Sequence, residues 1–311
     1  MKIAILDLGT NVYNLLLADI NQTEYSIIKI MKVAAKLGEG GLSNGYLSQT
    51  AFNNSEYALK KLFIAIEAEG NVEKIFAFAT SAVRDAKNGR EFVNNIKTKF
   101  NLEVEVISGD READLIFKGV CESMFLYNET ILVLDIGGGS NEFIMARKDN
   151  ILWKKSFPIG VARMKEMFSP SDPIKISEVE KATEYFEKEL TELWEVCEKH
   201  KPEILIGASG SFDTLREMMY YRDIEALVPS KELDIDKYRE LHKLLLISNK
   251  EERLRIAGMS PLRADFMVLA SVFISKVIDK SGVKQMFQSA YSLKEGVLFE
   301  KFYILNNNGS L

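Results

Sequence analysis

The side chains best suited to chemistry stand in the stretch Ile131 to Ile144, ILVLDIGGGSNEFI. Asp135 closes a run of apolar residues, Gly137, Gly138 and Gly139 follow, and Ser140 and Glu142 come next. Three glycines in a row make a poor strand or helix interior, because glycine loses the most backbone freedom on ordering. They suit a tight turn whose bare N–H groups face an anion, a recurrent phosphate site. Asp135 and Glu142 flank the turn, where they could hold a divalent cation against that phosphate. The plainer alternative is a glycine-rich hairpin that only reverses the chain. An echo near the start favours the chemical reading: Asp7-Leu8-Gly9-Thr10-Asn11 resembles Asp135-Ile136-Gly137 with Ser140-Asn141 after it. A pattern recurring half a chain later suggests duplication.

Further small-residue turns join an apolar strand to a helix. Thr80-Ser81-Ala82-Val83-Arg84 has Ser81 as a candidate cap and Arg84 as a forked donor near a helix N-terminus. Ser108-Gly109-Asp110-Arg111-Glu112-Ala113 puts Glu112 in a first helical turn, at the strand ends where open α/β sheets bind ligands. A carboxylate there could take a proton from water attacking a phosphate; the ordinary reading is the preference of Glu for helix starts. Gly207-Ala208-Ser209-Gly210-Ser211, with Ser211 as a fair cap, and Gly160-Val161-Ala162-Arg163 complete the set. Four such turns in a duplicated chain point to binding of several phosphates. A Gly-x-x-x-x-Gly-Lys-Ser/Thr loop, a Cys/His nucleophile pair and a metal-spaced His cluster are absent. Carboxylate-assisted attack by water, with a divalent cation and N–H groups stabilising the phosphoryl group, is what remains.

The elements that position these residues repeat. Strands over 2–8, 11–19 and 24–33 precede a Gly/Ser/Asn-rich loop. A helix capped by Ser48 or Thr50 runs through Glu69 to Gly70, with Leu59, Leu62, Phe63 and Ile66 on one face. KIFAFAT is a strand, residues 82–100 form a helix with a break at Gly89, LEVEVIS is a strand, and a helix starts at Asp110. The second half repeats this βββαβαβα order: strands over 131–136, 141–147 and 151–157, a short helix from Gly160, and a longer one with Ser177 and Glu180 as a capping box. The strand EILIGAS follows, then helices over 212–221, 234–248 and 262–280, the strand KQMFQSA and the helix SLKEGVLFEKFYIL. Two like domains with a cleft between them are expected, the paired Asp-Gly loops facing each other across it.

Length agrees: 311 residues suggest about two domains. Apolar runs fall short of a membrane span, and the start lacks a signal-peptide pattern. Cys121 and Cys197, each in a helical apolar pattern, read as buried free thiols in a reducing cytoplasm. His200 and His242 are isolated on polar helix stretches. With a net charge of −5, the surface does not advertise nucleic-acid binding, and a polyanion would need a local basic lane. Lys32, Lys36, Arg163, Lys165 and Arg263 are candidates for it, Arg263 alternatively pairing with Asp265. Met218-Met219-Tyr220-Tyr221 is either a homodimer interface or core beneath a loop.

LDLGTN, ATSAVRDAKN, ISGDREA, LDIGGGSNEF, FPIGVARM, IGASGS, PLRADF and SLKEG resemble, in order, the motifs of the exopolyphosphatase/guanosine-pentaphosphate phosphohydrolase (Ppx/GppA) family in its short form. The resemblance implies an α/β fold of two similar βββαβαβα domains, of the actin-like ATPase and sugar-kinase superfamily (ribonuclease H-like). It also implies an N-terminal domain over 1–125, a C-terminal domain over 126–297, and a last helix over 298–311 returning to the first domain. The implied reaction is Mg²⁺-dependent hydrolysis of the terminal phosphate of polyphosphate in the cytoplasm. A guanosine pentaphosphate phosphohydrolase and a non-catalytic phosphate or alarmone sensor are the alternatives; neither nucleic acid nor membrane is an implied partner. Glu112 falls at the family's water-activating Glu. Asp135 and Glu142 fall at its metal-associated acidic positions, and Gly137, Gly138, Gly139 and Ser140 at its phosphate loop. Thr10 and Asn11 match the first loop and Arg84 the phosphate-gripping arginine, and Gly210 and Ser211 stand in the matching IGASGS turn. Three positions depart from the family pattern: Val12 where Ser is usual, Asn141 for Thr, and Lys294 for Arg. They bear on substrate preference or rate rather than on reaction class.

Overall fold

The computed structural model describes residues 1–41, 44–124, 128–221 and 228–308. The domain boundary expected at 125/126 and the last three residues of the expected 298–311 segment lie outside them. By contact the chain divides into two units, Met1–Gly119 with Gly137–Gly139 and Ser292–Leu311, and Val120–Ile136 with Ser140–Tyr291.

In the first unit, β1 (Lys2–Leu8), β2 (Val12–Ile20) and β3 (Tyr25–Ala34) form an antiparallel meander. Helix α1 (Gln49–Glu69) follows, its N-terminus capped by Ser48, whose hydroxyl accepts the Ala51 N–H at 3.1 Å. Leu59, Leu62 and Ile66 turn its apolar stripe inward. Next come β4 (Val72–Ala79), α2 (Ser81–Asp85), α3 (Gly89–Phe100), β5 (Val104–Val106) and α4 (Gly109–Ser123). The break expected at Gly89 lies just before it: Gly89 opens α3 so close to the Val83 carbonyl that a Cβ would collide with it. The sheet order is β3-β2-β1-β4-β5, with β4 parallel to β1 and to β5.

The second unit repeats the plan with β6 (Thr130–Ile136), β7 (Asn141–Arg147), β8 (Asn150–Phe157), α5 (Val161–Phe168), α6 (Ile176–Glu189), α7 (Thr191–His200), β9 (Ile204–Ala208) and α8 (Ser209–Met219). Strand β10 (Ser230–Glu232), helices α9 (Ile235–Ile247), α10 (Lys250–Arg255) and α11 (Met267–Ser281), and β11 (Gln285–Ser289) complete it. Its order is β10-β11-β9-β6-β7-β8, so β6, β7, β8, β9 and β11 occupy the places of β1, β2, β3, β4 and β5. The duplicated α/β architecture expected from the sequence is therefore present in both sheets, and β10 is an added edge strand. Strand β6 is buried along its whole length, as its unbroken apolar run requires.

Several boundaries differ from expectation. Helix α6 starts one residue before Ser177; Glu178, not Glu180, reaches back to the N–H of Lys175 at 2.8 Å. The long helix breaks at Leu190, yet Phe186, Leu190, Leu193 and Cys197 remain buried on both sides of the break. Helix α10 was not expected, although Asn249 and Glu252 spell a capping box and act as one. Residues 261–266 are turns rather than the start of α11. Met218, Met219 and Tyr220 pack against the core, whereas Tyr221 is exposed. Cys197 is buried but Cys121 only half-buried; burial pushes both thiols up to about 12. Among the described residues no helix is long and apolar enough to cross a membrane.

The last helix, α12 (Leu293–Asn308), packs on β1 and β2 within the first unit. Its Gly296 backs onto the carbonyl of Leu115 in α4, and Gly119 backs onto the carbonyl of Ser292. A methyl group at either glycine would overlap backbone, which cannot rotate away. Gly296→Ala is therefore expected to cost about 3 kcal/mol, read as a lowered denaturant midpoint. Nearby, Glu300 accepts from Arg111 and Lys118. Burial alone would raise its carboxyl, but these two donors hold it down at about 2.

Candidate functional site

In the first unit the turn between β1 and β2 presents Thr10, which is buried, and Asn11. Gly138 and Gly139 lie bare against it. A Cβ on Gly138 would stand 2.8 Å from Asn11 Nδ2, and one on Gly139 2.6 Å from Ser81 Oγ and 2.7 Å from Thr10 Oγ1. Asn11 Nδ2 is a buried donor without a hydrogen-bond acceptor. Such a donor beside a glycine turn suits an anion's oxygen. Ser81 does not cap its helix as expected; Thr80 holds that position, and Ser81 Oγ donates to Asp85 at 3.0 Å. Arg84, one turn further along α2, donates through Nη1 to Glu112 at 2.8 Å and to the Ile107 carbonyl at 3.2 Å. Glu112 stands in the first turn of α4, as expected, and is 7% exposed. The first unit thus links Thr10, Asn11, Gly137–Gly139, Ser81, Arg84 and Glu112 in one run of contacts.

The second unit gathers the acidic pair. Register places Asp135 directly opposite Glu142 across β6 and β7, and the two are 5% and 1% exposed. Side chains in such a pair share a face, with Cβ atoms about 5 Å apart. Glu142 accepts from Ser140 at 2.6 Å and from Ser156 at 2.7 Å, and Asp135 accepts from Ser209 at 2.5 Å. Ser209 takes φ 69° to open α8, a strained conformation of the kind that collects at functional sites. Ser211 does not cap this helix; it lies inside the first turn, and its buried Oγ has no hydrogen-bond partner. The Arg263 guanidinium lies over Gly210, its Nε 2.8 Å from where a Cβ would stand. Asp265 is engaged by Lys165 and Lys250 instead, while Arg263 faces Asp213 and Asp135. Burial lowers the ease with which Arg263 holds its proton, and the two carboxylates oppose that shift.

The register also corrects the echo. Leu8 pairs with Tyr13 and Ile136 with Asn141, so each hairpin encloses four residues. Thr10 and Asn11 therefore correspond to Gly138 and Gly139, not to Ser140 and Asn141. The counterpart of Glu142 is Asn14, whose amide donates to Asp7 at 2.7 Å. Ser156 and Ser209 went unread because only strand register and helix packing bring them to the acidic pair, and Asp213 because only packing sets it near Arg263. Ser209 alone had a signal, its place in the IGASGS turn.

Among the described residues no cluster of three or more His, Cys, Asp or Glu side chains is gathered. The Asp135–Glu142 pair nonetheless fits Mg²⁺, which commonly takes one or two carboxylates and draws its other ligands from water and substrate phosphates. Two like charges buried opposite each other are a liability that a cation removes.

A model of the Ppx/GppA phosphatase family matches residues 16–303. The chain is similar to the crystal structure of an exopolyphosphatase from Cytophaga hutchinsonii, at 36% identity and a TM-score of 0.93, covering 100% of this chain and 99% of that one. The Aquifex aeolicus Ppx/GppA family member is similar at 27% identity and a TM-score of 0.79, covering 99% of each chain. A bifunctional 3-dehydroquinate synthase/phosphatase of Fusobacterium nucleatum is 31% identical over 292 residues, 90% of this chain and 43% of that protein. The chain thus spans less than half the length of that relative.

Proposed function

The chain belongs to the Ppx/GppA phosphatase family, and from that premise we propose that it is an exopolyphosphatase, releasing the terminal phosphate of inorganic polyphosphate. The observation that carries this reading is the half-buried Arg84–Glu112 pair at 2.8 Å, in the same unit as the glycine turn. Glu112 takes a proton from water as its oxygen bonds to the terminal phosphorus. The bridging P–O bond breaks, and its electron pair leaves on the shortened chain. Arg84 keeps the carboxylate aimed while its other donors face the phosphoryl group. The N–H groups of Gly137, Gly138 and Gly139, with Thr10 and Asn11, receive the developing charge; in the second unit Ser140, Gly210 and Ser211 offer further donors suited to phosphate. Asp135 and Glu142 would hold Mg²⁺, which when bound neutralises phosphate oxygens.

The test is phosphate release from long-chain polyphosphate with and without Mg²⁺, beside guanosine pentaphosphate. Mg²⁺-dependent release favouring polyphosphate is expected. Preference for the nucleotide would reassign the substrate, and tight binding without release would make the protein a sensor.

A further inference from the structure

Register sets Asp7, Asn14 and Lys32 side by side across β1, β2 and β3. The same row in the second sheet reads Asp135, Glu142 and Ser156, a hydroxyl standing where the first sheet carries an ammonium group. Beyond the end of β3 the chain is tied to the turn that meets the glycines. Ala35 and Lys36 donate their N–H groups to the Asn11 carbonyl at 2.9 and 3.0 Å, and Leu37 donates to the Thr10 carbonyl at 2.7 Å. Lys36 takes φ 45° to do so, which sets its backbone against that turn and leaves its side chain 58% exposed. Its partner Glu39, at 2.9 Å, is 54% exposed. An ion pair so open to water is weak and gives way to a denser anion. Lys32 is exposed as well.

We infer that Lys32 and Lys36 form a basic lane leading away from the Thr10–Asn11 turn, which holds the second and later phosphates of a long polyanion and so determines preference for chain length. The inference rests on the polyphosphatase reading. A protein of net charge −5 repels a polyanion overall, so attraction must be local. Lysine suits such a lane, because a point charge on a flexible stem follows an anionic chain without fixing its register, whereas the fork of Arg84 suits one phosphate held still.

The experiment compares K32Q/K36Q and K32R/K36R with the wild type on long-chain polyphosphate and on tripolyphosphate, in low and high salt. The Gln variant is expected to raise KM for the long chain about tenfold at low salt, with kcat within about twofold and tripolyphosphate KM shifted far less. The Arg variant should restore the long-chain KM, and high salt should erase the difference. Equal shifts for both substrates, or none, would overturn the lane. Binding of long polyphosphate by the same proteins separates the two readings. A wild type that binds but releases no phosphate refutes the enzyme reading alone, and weakened binding in the Gln variant would still uphold the lane.

Discussion

Glu112→Gln is expected to keep polyphosphate binding and to lose about 10²–10⁴-fold in turnover, the usual contribution of a general base. The amide oxygen can still accept from Arg84, which stands 2.8 Å from the carboxylate. The first turn of α4 keeps its backbone bond from Glu112 N–H to the Ser108 carbonyl at 2.9 Å. What disappears is the ability to take a proton. Geometry and base strength are thereby separated: kcat falls while the dissociation constant for polyphosphate stays within about threefold. Arg84→Lys is the companion variant: Nη1 makes both bonds, to Glu112 and to the Ile107 carbonyl, and an ammonium in its place lacks the guanidinium's remaining donors. Wild-type turnover in the Gln variant would remove Glu112 from the mechanism.

Glu142→Gln carries the second large effect, and its sign depends on Mg²⁺. In the first sheet an amide, Asn14, faces Asp7 and donates to it at 2.7 Å. In the second sheet the same positions hold two carboxylates, Asp135 and Glu142. Like charges directly opposite cost up to about 1 kcal/mol. Without Mg²⁺, the variant should therefore melt up to about 2 °C above the wild type. With Mg²⁺ at a hundred times its dissociation constant, the wild type should gain about 2.7 kcal/mol, and the variant should lose most of that gain together with phosphate release. Calorimetry with and without the ion reads both effects. Equal stabilisation of the two proteins by Mg²⁺ would free Asp135 and Glu142 from any metal role.

Much of the arrangement was legible because it is local. The Ser48 cap and the Gly70 stop of α1 follow from hydrogen bonds within a few residues. The hairpin around Gly137–Gly139 follows from the apolar run that buries β6 on both faces and from the bare turn after Asp135. Caps were less legible where small residues crowd together. Ser81 and Ser211 look like N-caps, yet α2 begins at Ser81 itself, α8 begins two residues before Ser211, and Ser81 donates to Asp85 instead. Length in sequence also misled at Leu190, where the apolar spacing continues through a break.

By itself the sequence determined the duplicated strand-and-helix order, the acidic residues beside the glycine turn and the placement of Glu112 at a helix start. These depend on hydropathy period, backbone freedom and spacing, which a chain carries before it folds. Tertiary structure decided which side chains meet. Register brought Ser156 to Glu142, β9 and α8 brought Ser209 to Asp135, and Arg263 came to lie over Gly210 rather than beside Asp265. Such pairings span tens of residues and are set by strand pairing and close packing, which no local pattern records.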